Sequence, residues 1–303
     1  MIIGYDGGYG NIKTSEGVIF QSKMSLFDRS LDRNSNSLEV EYEGRKFIVG
    51  KGSYETDLNK ITKESSKIFM LTALALSGKE RDFKVVAGLP IQQYKKQMVD
   101  LKRELLSYSG SVITVAQHKR TLIVDDVSIF PQCVAAYYSL SSKQLKELGK
   151  SDVIIVDIGA RTVDIALLSY EGNSRKRSVE KYSTINEGTL SLYSDFVSEI
   201  NLKLDLDYRV EDADKILRNG IYVKGVQKDL KFTKDVIYTH ANEISKELDL
   251  NYPVKTGSML LVGGGSLLIG GILRKRYKSI IVEQAQFSNA NGLREVGKQL
   301  WQR

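Results

Sequence analysis

Short continuous apolar runs alternate along this chain with longer stretches in which apolar residues recur every three or four positions. The runs IIGY (2–5), VVAGL (85–89) and VIIV (153–156) have the length and composition of buried strands. The stretches 91–105 and 193–204 carry their apolar residues on one face of a helix. Strands that alternate with amphipathic helices predict an α/β fold.

The same succession of elements occurs twice. Each half is predicted to contain three strands, a helix, a strand and a further helix, interrupted by a polar insertion at about 26–62 in the first half and about 207–231 in the second. Residues 131–148 are predicted to form a single helix with Pro131 in its first turn. The repetition predicts two similar α/β domains that face one another across a cleft, at 1–149 and 150–288. A closing helix at about 289–303 is expected to pack back on the first domain.

Composition places the chain among ordinary globular proteins. It has 303 residues, 42% of them hydrophobic and 27% charged. Its single cysteine, Cys133, excludes an intramolecular disulfide, fits a reducing compartment and is expected to be a buried apolar residue. The longest apolar runs are strand-sized, and the N-terminus has no signal-peptide pattern. We therefore expect a cytoplasmic protein without membrane attachment.

The net charge of +7 comes from Lys and Arg spread over the whole chain, with local clusters at Arg175–Arg177 and Arg274–Lys278. A basic surface can meet nucleic acid. The clusters, however, are not interleaved with aromatic residues that could stack on bases, and no nucleic-acid-binding motif is present. A solvated basic surface is the favoured interpretation.

Two polar turns follow buried strands at matching places in the two halves. The first is DGGYG, beginning at Asp6, and the second is DIGARTVD, beginning at Asp157. Glycines let successive backbone N–H groups converge on an anion such as phosphate. Asp6 and Asp157 could then hold Mg²⁺ through water, and Lys13 could place a positive charge near the phosphates. One such turn alone is more simply a polar hairpin, but two matched copies favour phosphate binding.

A third glycine cluster, LLVGGGSLLIGG, lies between a buried strand and a helix. Backbone there could approach a flat ligand, although a tight turn explains the glycines equally well. Two rival phosphate motifs are absent: the sequence GKS at Gly149 has Gln144 where a Walker loop requires its first glycine, and no helix follows the first turn as a dinucleotide fingerprint requires. His118 and His240 stand alone in the sequence and are predicted to be surface or packing residues.

In order and spacing, these motifs resemble the actin-like ATPase superfamily. The segments GYDGGYGNIK, VVAGLP, FPQCVAAY and FSNANGLREVG are most similar to the ParM (StbA) group of plasmid-segregation actins and to their archaeal and phage relatives. The resemblance covers essentially the whole chain. It implies the actin-like fold, a duplicated ribonuclease-H-like α/β architecture with two similar domains around a nucleotide cleft, each carrying a small inserted subdomain.

The resemblance also assigns roles to individual residues. Asp6 and Asp157 fall on the carboxylates that bind the magnesium–nucleotide complex, and Gln132 falls where the superfamily places a residue that faces the γ-phosphate. Since an amide has no useful basicity, Gln132 would orient the attacking water, with Asp157 as the second catalytic residue. The residues assigned to the nucleotide are Asp6, Gly8, Tyr9, Gly10, Asn11, Lys13, Gly159, Ala160, Arg161, Thr162, Gly263, Gly264, Gly265 and Ser266.

Two positions depart from the family pattern. Tyr9 stands where many relatives carry Ser or Thr, so only its backbone N–H carries over. Ala160 and Arg161 replace a glycine-rich or Gly-Thr pair. Arg161 could reach the γ-phosphate, but a solvent-facing turn residue is the favoured interpretation.

The function implied by the resemblance is ATP hydrolysis, with ATP or ADP and Mg²⁺ as ligands, coupled to filament assembly. GTP is left open, because one glycine turn does not specify the base. The expected partners are other copies of the chain, stacked head to tail, and a small DNA-binding adaptor of a plasmid partition system, without direct sequence-specific DNA binding. A non-filamentous ATPase or small-molecule kinase of the same fold is the alternative, because several classes of protein share this fold.

Overall fold

The computed structural model describes residues 1–27, 38–54, 63–172 and 176–302. The predicted insertion at 26–62 is therefore described only in part. Arg175 of the predicted basic cluster and Arg303 of the predicted closing helix lie outside the described residues. The chain divides into two compact units, which we call unit 1 (Met1–Gly149 and Val282–Arg303) and unit 2 (Lys150–Ile281).

The described residues form strands and helices numbered in chain order. The strands are β1 (Ile2–Gly7), β2 (Asn11–Thr14), β3 (Ile19–Gln21), β4 (Lys23–Leu26), β5 (Leu38–Tyr42), β6 (Arg45–Val49), β7 (Ser53–Tyr54), β8 (Asp82–Leu89), β9 (Ser111–Val115), β10 (His118–Pro131), β11 (Val153–Ile158), β12 (Val163–Glu171), β13 (Lys176–Ile185), β14 (Ile221–Val223), β15 (Val226–Lys228), β16 (Ser258–Val262) and β17 (Ser279–Ile281). The helices are α1 (Glu64–Leu76), α2 (Ile91–Ser107), α3 (Gln132–Tyr138), α4 (Ser142–Leu148), α5 (Thr189–Leu204), α6 (Ala213–Asn219), α7 (Lys234–Asn251), α8 (Ser266–Arg276) and α9 (Ser288–Trp301), with single 3₁₀ turns at Val210–Asp212, Lys231–Thr233 and Ala285–Phe287.

Unit 1 is built on one mixed sheet in the order β3-β2-β1-β8-β10-β9-β5-β6-β4-β7. Its centre is parallel, because β1 and β10 both pair with β8 in the same direction. The strands of the insertion are part of this sheet, since β5 pairs with β9 and so continues the sheet beyond the central strands. The insertion thus shares one hydrogen-bonded sheet with the parallel core of unit 1.

The two faces of this sheet are covered by different helices. Successive side chains of a strand point to opposite faces. Ile3 and Tyr5 of β1 pack in the larger hydrophobic cluster together with residues of α1 and α2. On the alternate positions of β1, a side chain at Gly4 would lie 1.9 Å from the carbonyl oxygen of Ala290 in α9, so glycine is required there. Helix α9 therefore packs directly against the backbone of β1.

The predicted helix over 131–148 is wrong, because the structure has two helices with a break at Ser139–Ser141. Pro131 ends β10 in an extended conformation, and α3 begins at Gln132. Ser141 caps α4: its hydroxyl accepts from the Gln144 N–H, and the Gln144 side chain accepts from the Ser141 N–H. This capping box starts a new helix within a stretch whose apolar pattern alone predicts one continuous helix.

Unit 2 has a five-stranded sheet in the order β13-β12-β11-β16-β17, in which β11, β16 and β17 are parallel. All six residues of β11 are buried, which fits its continuous apolar sequence. The core packs apolar residues of the sheet against α5, α7 and α8. A second cluster joins α5 to α6 and to the β14–β15 hairpin, which lie in the predicted insertion at 207–231.

No helix among the described residues has the length and apolar character needed to cross a membrane.

Candidate functional site

Asp6 lies at the base of the β1–β2 hairpin, and both of its carboxylate oxygens have partners. It is 3% exposed and is paired across the hairpin with Lys13, whose Nζ lies 3.4 Å from Asp6 Oδ2. Gln132 Nε2 donates to Asp6 Oδ1 at 2.7 Å. The structure therefore brings Gln132 to Asp6 and Lys13, two predicted site residues from which it is far apart in sequence.

Gln132 is held in place by the strand beside it as well as by Asp6. It is the first residue of α3 and is buried. A side chain at Gly88 in β8 would lie 2.4 Å from Gln132 Cγ, so Gly88 makes room for the Gln132 side chain. Since a carboxylate only accepts hydrogen bonds, the amide nitrogen of Gln132 faces Asp6, and its Oε1 faces away from that oxygen.

The loop Gly8-Tyr9-Gly10 is held by Ser22, a residue that no sequence motif identifies. Ser22 Oγ donates to the Gly8 carbonyl at 2.6 Å, and the Ser22 N–H donates to the Gly10 carbonyl at 3.0 Å. These two bonds turn the carbonyls of Gly8 and Gly10 toward Ser22. A side chain at Gly8 would lie 2.7 Å from the Asn11 carbonyl oxygen, so the loop closes only with glycine there.

Tyr9 directs its side chain into unit 1. It is 9% exposed and, with Ile12 and Phe69, lines an apolar cavity. The phenol is thus part of the interior of unit 1.

The second turn joins β11 to β12 at residues 159–162. The Gly159 N–H donates to the Thr162 carbonyl at 2.9 Å and closes the loop, in which Ala160 and Arg161 are half-buried. Asp157 is buried, and its cross-strand neighbour is Asp164.

Asp164 is a further buried carboxyl group at this turn, and the sequence analysis missed it. It is 6% exposed and accepts hydrogen bonds from Thr184 Oγ1 at 2.5 Å and Thr162 Oγ1 at 3.4 Å. Burial raises the pKa of the Asp164 carboxyl above its usual value, while the two hydroxyl donors lower that pKa in part. The signal in the sequence was the second aspartate of DIGARTVD. In a hairpin that turns within this segment, Asp164 stands opposite Asp157.

The N-terminus of α5 holds the second turn from the other side. The N–H groups of Thr189 and Leu190 donate to the carbonyls of Gly159 and Ala160 at 3.0 and 2.8 Å. A side chain at Gly188 would lie 2.5 Å from the Ala160 carbonyl, so only glycine permits this approach. The carbonyls of the turn are therefore bound by α5. Gly188 is part of no sequence motif, so the sequence alone did not identify it.

The third turn, Gly263–Gly265, lies directly against Asp157. Gly263 has φ +80°, and a side chain there would lie 2.4 Å from Asp157 Oδ1. The Gly265 N–H donates to the Ile158 carbonyl at 2.9 Å, and the fully buried Ser266 donates through its hydroxyl to the Gly263 carbonyl at 2.7 Å. Gly264 is exposed. Unit 2 thus brings the predicted second and third motifs together around one carboxylate.

A shallow pocket adjoins these turns and is lined in part by Gly188, Thr189 and Ile269. His240 and Glu243 of α7 also line it. His240 is buried, as expected for a packing residue, but it is not isolated, since its Nε2 lies 2.9 Å from Asp195 Oδ2.

The donor chemistry of the site fits Mg²⁺ held mainly by phosphate and water. In the part of the chain that the structure describes, no group of three or more His, Cys, Asp or Glu side chains could hold a metal ion. Asp6 and Asp157 are buried carboxylates, and Mg²⁺ is commonly bound by one or two carboxylates together with phosphate oxygens and waters.

Two family models match the chain. Residues 4–134 match the N-terminal domain of actin-like proteins, and residues 155–275 match the C-terminal domain of the archaeal MreB-like actin homologues. No curated protein matches the chain.

Solved structures with the same fold align over nearly the whole chain. A 15-stranded ParM filament from Clostridium botulinum is 24% identical, with a TM-score of 0.81, and the match covers 98% of this chain and 99% of that one. Ta0583, an archaeal actin homologue solved in complex with ADP, is 21% identical, with a TM-score of 0.81 and the same coverage. The actin-like protein Alp7A is 17% identical, with a TM-score of 0.75, over 100% of this chain and 98% of that one.

The predicted actin-like fold is therefore confirmed. An actin-like family model matches each half of the chain, and the actin-like fold extends over nearly its whole length.

Proposed function

We propose that this protein is an ATPase that polymerises into nucleotide-dependent filaments for the segregation of plasmid DNA. The observation that carries the proposal is the same arrangement in each unit: a buried aspartate, Asp6 or Asp157, at the base of a hairpin whose carbonyls are bound from behind. When the carbonyls of such a turn point toward the protein, its remaining N–H groups can point outward to an anion.

In the proposed site, the turn of each hairpin binds phosphate through its backbone N–H groups. Lys13 adds a positive charge beside Asp6, and Gly263–Ser266 provide the backbone against which the adenosine lies. Support for nucleotide binding comes from the Ta0583 complex with ADP, which has the same fold. ATP is the proposed nucleotide, and GTP is compatible with the same turns.

Asp6 and Asp157 would hold Mg²⁺ through water, and a bound Mg²⁺ would neutralise charge on the phosphates during transfer. The protein's own contribution is orientation. The bond from Gln132 Nε2 to Asp6 fixes the Gln132 amide, so that Oε1 is directed away from Asp6 and can accept a hydrogen bond from the attacking water. Asp157 lies beside Gly263, where any side chain would meet its Oδ1.

Filament assembly is supported by the ParM filament that shares the fold. A head-to-tail contact that does not close into a ring produces a helical filament. We propose that a small DNA-binding adaptor links the filament to plasmid DNA and that ATP hydrolysis weakens the contact between subunits.

Sedimentation tests this assembly. With ATP and Mg²⁺, or with a slowly hydrolysed analogue, the protein should pellet above a critical concentration and remain in the supernatant without nucleotide. The Asp157→Asn variant should fail to pellet at the same concentration. A wild-type protein that binds ATP but stays monomeric at high concentration would contradict filament formation and indicate a non-filamentous ATPase or kinase.

A further inference from the structure

The buried carboxylate of Asp164 stands in the middle of a polar row that crosses three strands of unit 2. Asp164 on β12 is directly opposite Asp157 on β11 and directly opposite Thr184 on β13. Residues opposite one another in neighbouring strands carry their side chains on the same face of the sheet, with Cβ atoms about 4.5–5.5 Å apart. Asp164 therefore has a second buried carboxyl group on one side and a hydroxyl group on the other.

Thr184 provides the main anchor of the Asp164 carboxylate. Thr184 Oγ1 donates to Asp164 Oδ1 at 2.5 Å, whereas Thr162 Oγ1 lies 3.4 Å from Asp164 Oδ2. Strong hydrogen bonds from a hydroxyl to a carboxylate measure about 2.5–2.7 Å. The bond from Thr184 is therefore the strong one and the contact with Thr162 is weak. The carboxylate is thus held toward β13, on the side away from Asp157.

The position of this carboxylate affects the second turn, residues 159–162, which directly precedes β12. The Gly159 N–H closes the loop onto the Thr162 carbonyl, so the N–H groups that follow Gly159 are the ones left for an anion. The contact with Thr162 Oγ1 places the Asp164 carboxylate within reach of the turn. A carboxylate is itself an anion that only accepts hydrogen bonds. Without Thr184, the Asp164 side chain would turn to these N–H groups and compete with phosphate for them.

We propose that Thr184 is a positioning residue of the second turn: by binding the Asp164 carboxylate, it keeps an internal anion off the N–H groups that receive phosphate. This role rests on the proposed function, because it takes the turn to be a phosphate site. Thr184 acts through Asp164 and needs no contact with the nucleotide. It belongs to no sequence motif, so only the folded structure identifies it.

Equilibrium binding of ATP with Mg²⁺ to three variants tests the role of Thr184. Thr184→Val keeps the shape of the side chain and removes the hydroxyl, so ATP affinity should fall roughly tenfold, the effect of one hydrogen bond to a charged group. Thr184→Ser retains the hydroxyl and should bind ATP as the wild type does. In the Asp164→Asn background the competing charge is absent, so adding Thr184→Val should change affinity by less than about twofold, a coupling that a double-mutant cycle measures.

Thr233→Val is the matched control. Thr233 is also a buried threonine of unit 2, but its hydroxyl donates to the Leu230 carbonyl and not to a carboxylate. The control removes one hydrogen bond, as Thr184→Val does, and it should leave ATP affinity unchanged. A loss of affinity that came only from lower stability would appear in both variants, and it would persist in the Asp164→Asn background.

A second measurement, made without nucleotide, separates this role from the proposed function. In ¹H–¹⁵N spectra, Thr184→Val should shift the amide signals of Ala160 and Thr162, because the Asp164 carboxylate takes up their N–H groups. Thr184→Ser should not shift them, nor should Thr184→Val in the Asp164→Asn background. Unchanged amide signals in Thr184→Val, unchanged ATP affinity, or an equal loss of affinity in the Asp164→Asn background would overturn the proposal. If the wild type binds no nucleotide, the proposed function fails, and the spectra alone decide whether Thr184 holds Asp164 off the turn.

Discussion

Gln132 shows how one hydrogen bond can separate binding from catalysis. Its amide is oriented by Asp6, whose ion pair with Lys13 does not involve Gln132. Gln132→Ala should therefore leave ATP affinity within a few-fold while it lowers the rate of phosphate release by roughly 10². Phosphate release and equilibrium binding are measured on the same preparation.

Gln144→Ala is the matched control for this prediction. Gln144 also lies at the start of a helix, but its side chain bonds to Ser141 in the capping box of α4. It should cost about 1 kcal/mol of stability or less and leave phosphate release unchanged. Full phosphate release by Gln132→Ala would show that Gln132 does not orient the water.

Gly263 couples a strained backbone position to the position of Asp157. Alanine at φ +80° costs about 1–2 kcal/mol, and its side chain would also displace Asp157 Oδ1. Gly263→Ala should lower nucleotide affinity at least about tenfold, because the carboxylate is moved from its place beside the turn. Gly225→Ala, at φ +79° with nothing within 4 Å, carries the same backbone cost and should bind nucleotide as the wild type does. Equal affinities for the two variants would exclude the contact as the cause.

At the scale of elements, the approach of α9 to α3 depends on a single missing side chain. A side chain at Gly292 would lie 1.7 Å from the Ala135 carbonyl oxygen, and backbone on both sides prevents relaxation. Gly292→Ala should destabilise unit 1 by roughly 1–3 kcal/mol or more in urea unfolding. Gly271→Ala in α8 meets no atom within 4 Å and should be neutral or stabilising by about 0.5–1 kcal/mol. A neutral Gly292→Ala would mean that α9 packs elsewhere.

The order of strands and helices could be predicted because it follows from local periodicity. Residues 2–5 and 153–156 are strands, and 91–105 is helical, as their apolar spacing indicated. The break at Ser141 was missed because a capping box competes with a continuous apolar face. The joining of β5 to β9 was missed because pairing between distant strands leaves no mark in either segment alone.

The residues of the candidate site could likewise be predicted only in part. Asp6, Asp157 and Gly263 could be selected because carboxylates and glycines after buried strands carry a chemical meaning of their own. Ser22 and Gly188 could not, since each acts through a contact with a loop far away in sequence. Residues that hold a loop through such a distant contact belong to no sequence motif, so only the folded structure identifies them.

At the scale of the whole molecule, the net charge of +7 sets an expectation for DNA. Contact with phosphates alone is independent of sequence and weakens steeply with salt, as counterions are released. The isolated protein should bind plasmid and scrambled DNA equally, and weakly at physiological salt, as measured by fluorescence anisotropy over a salt series. Tight, sequence-selective binding without an adaptor would refute the adaptor proposal and make Arg274–Lys278 the first cluster to replace.

Equilibrium binding of ATP with Mg²⁺ tests the central claim most directly. The wild type should bind one nucleotide, and at about 100 times the dissociation constant its melting temperature should rise by roughly 5–10 °C. Asp157→Asn should lose most of this affinity, while Asp249→Asn, which alters an exposed partner of Arg276, should keep it. If no Mg²⁺–nucleotide shifts the melting temperature, or if Asp157→Asn binds as tightly as the wild type, the two hairpins are not a nucleotide site.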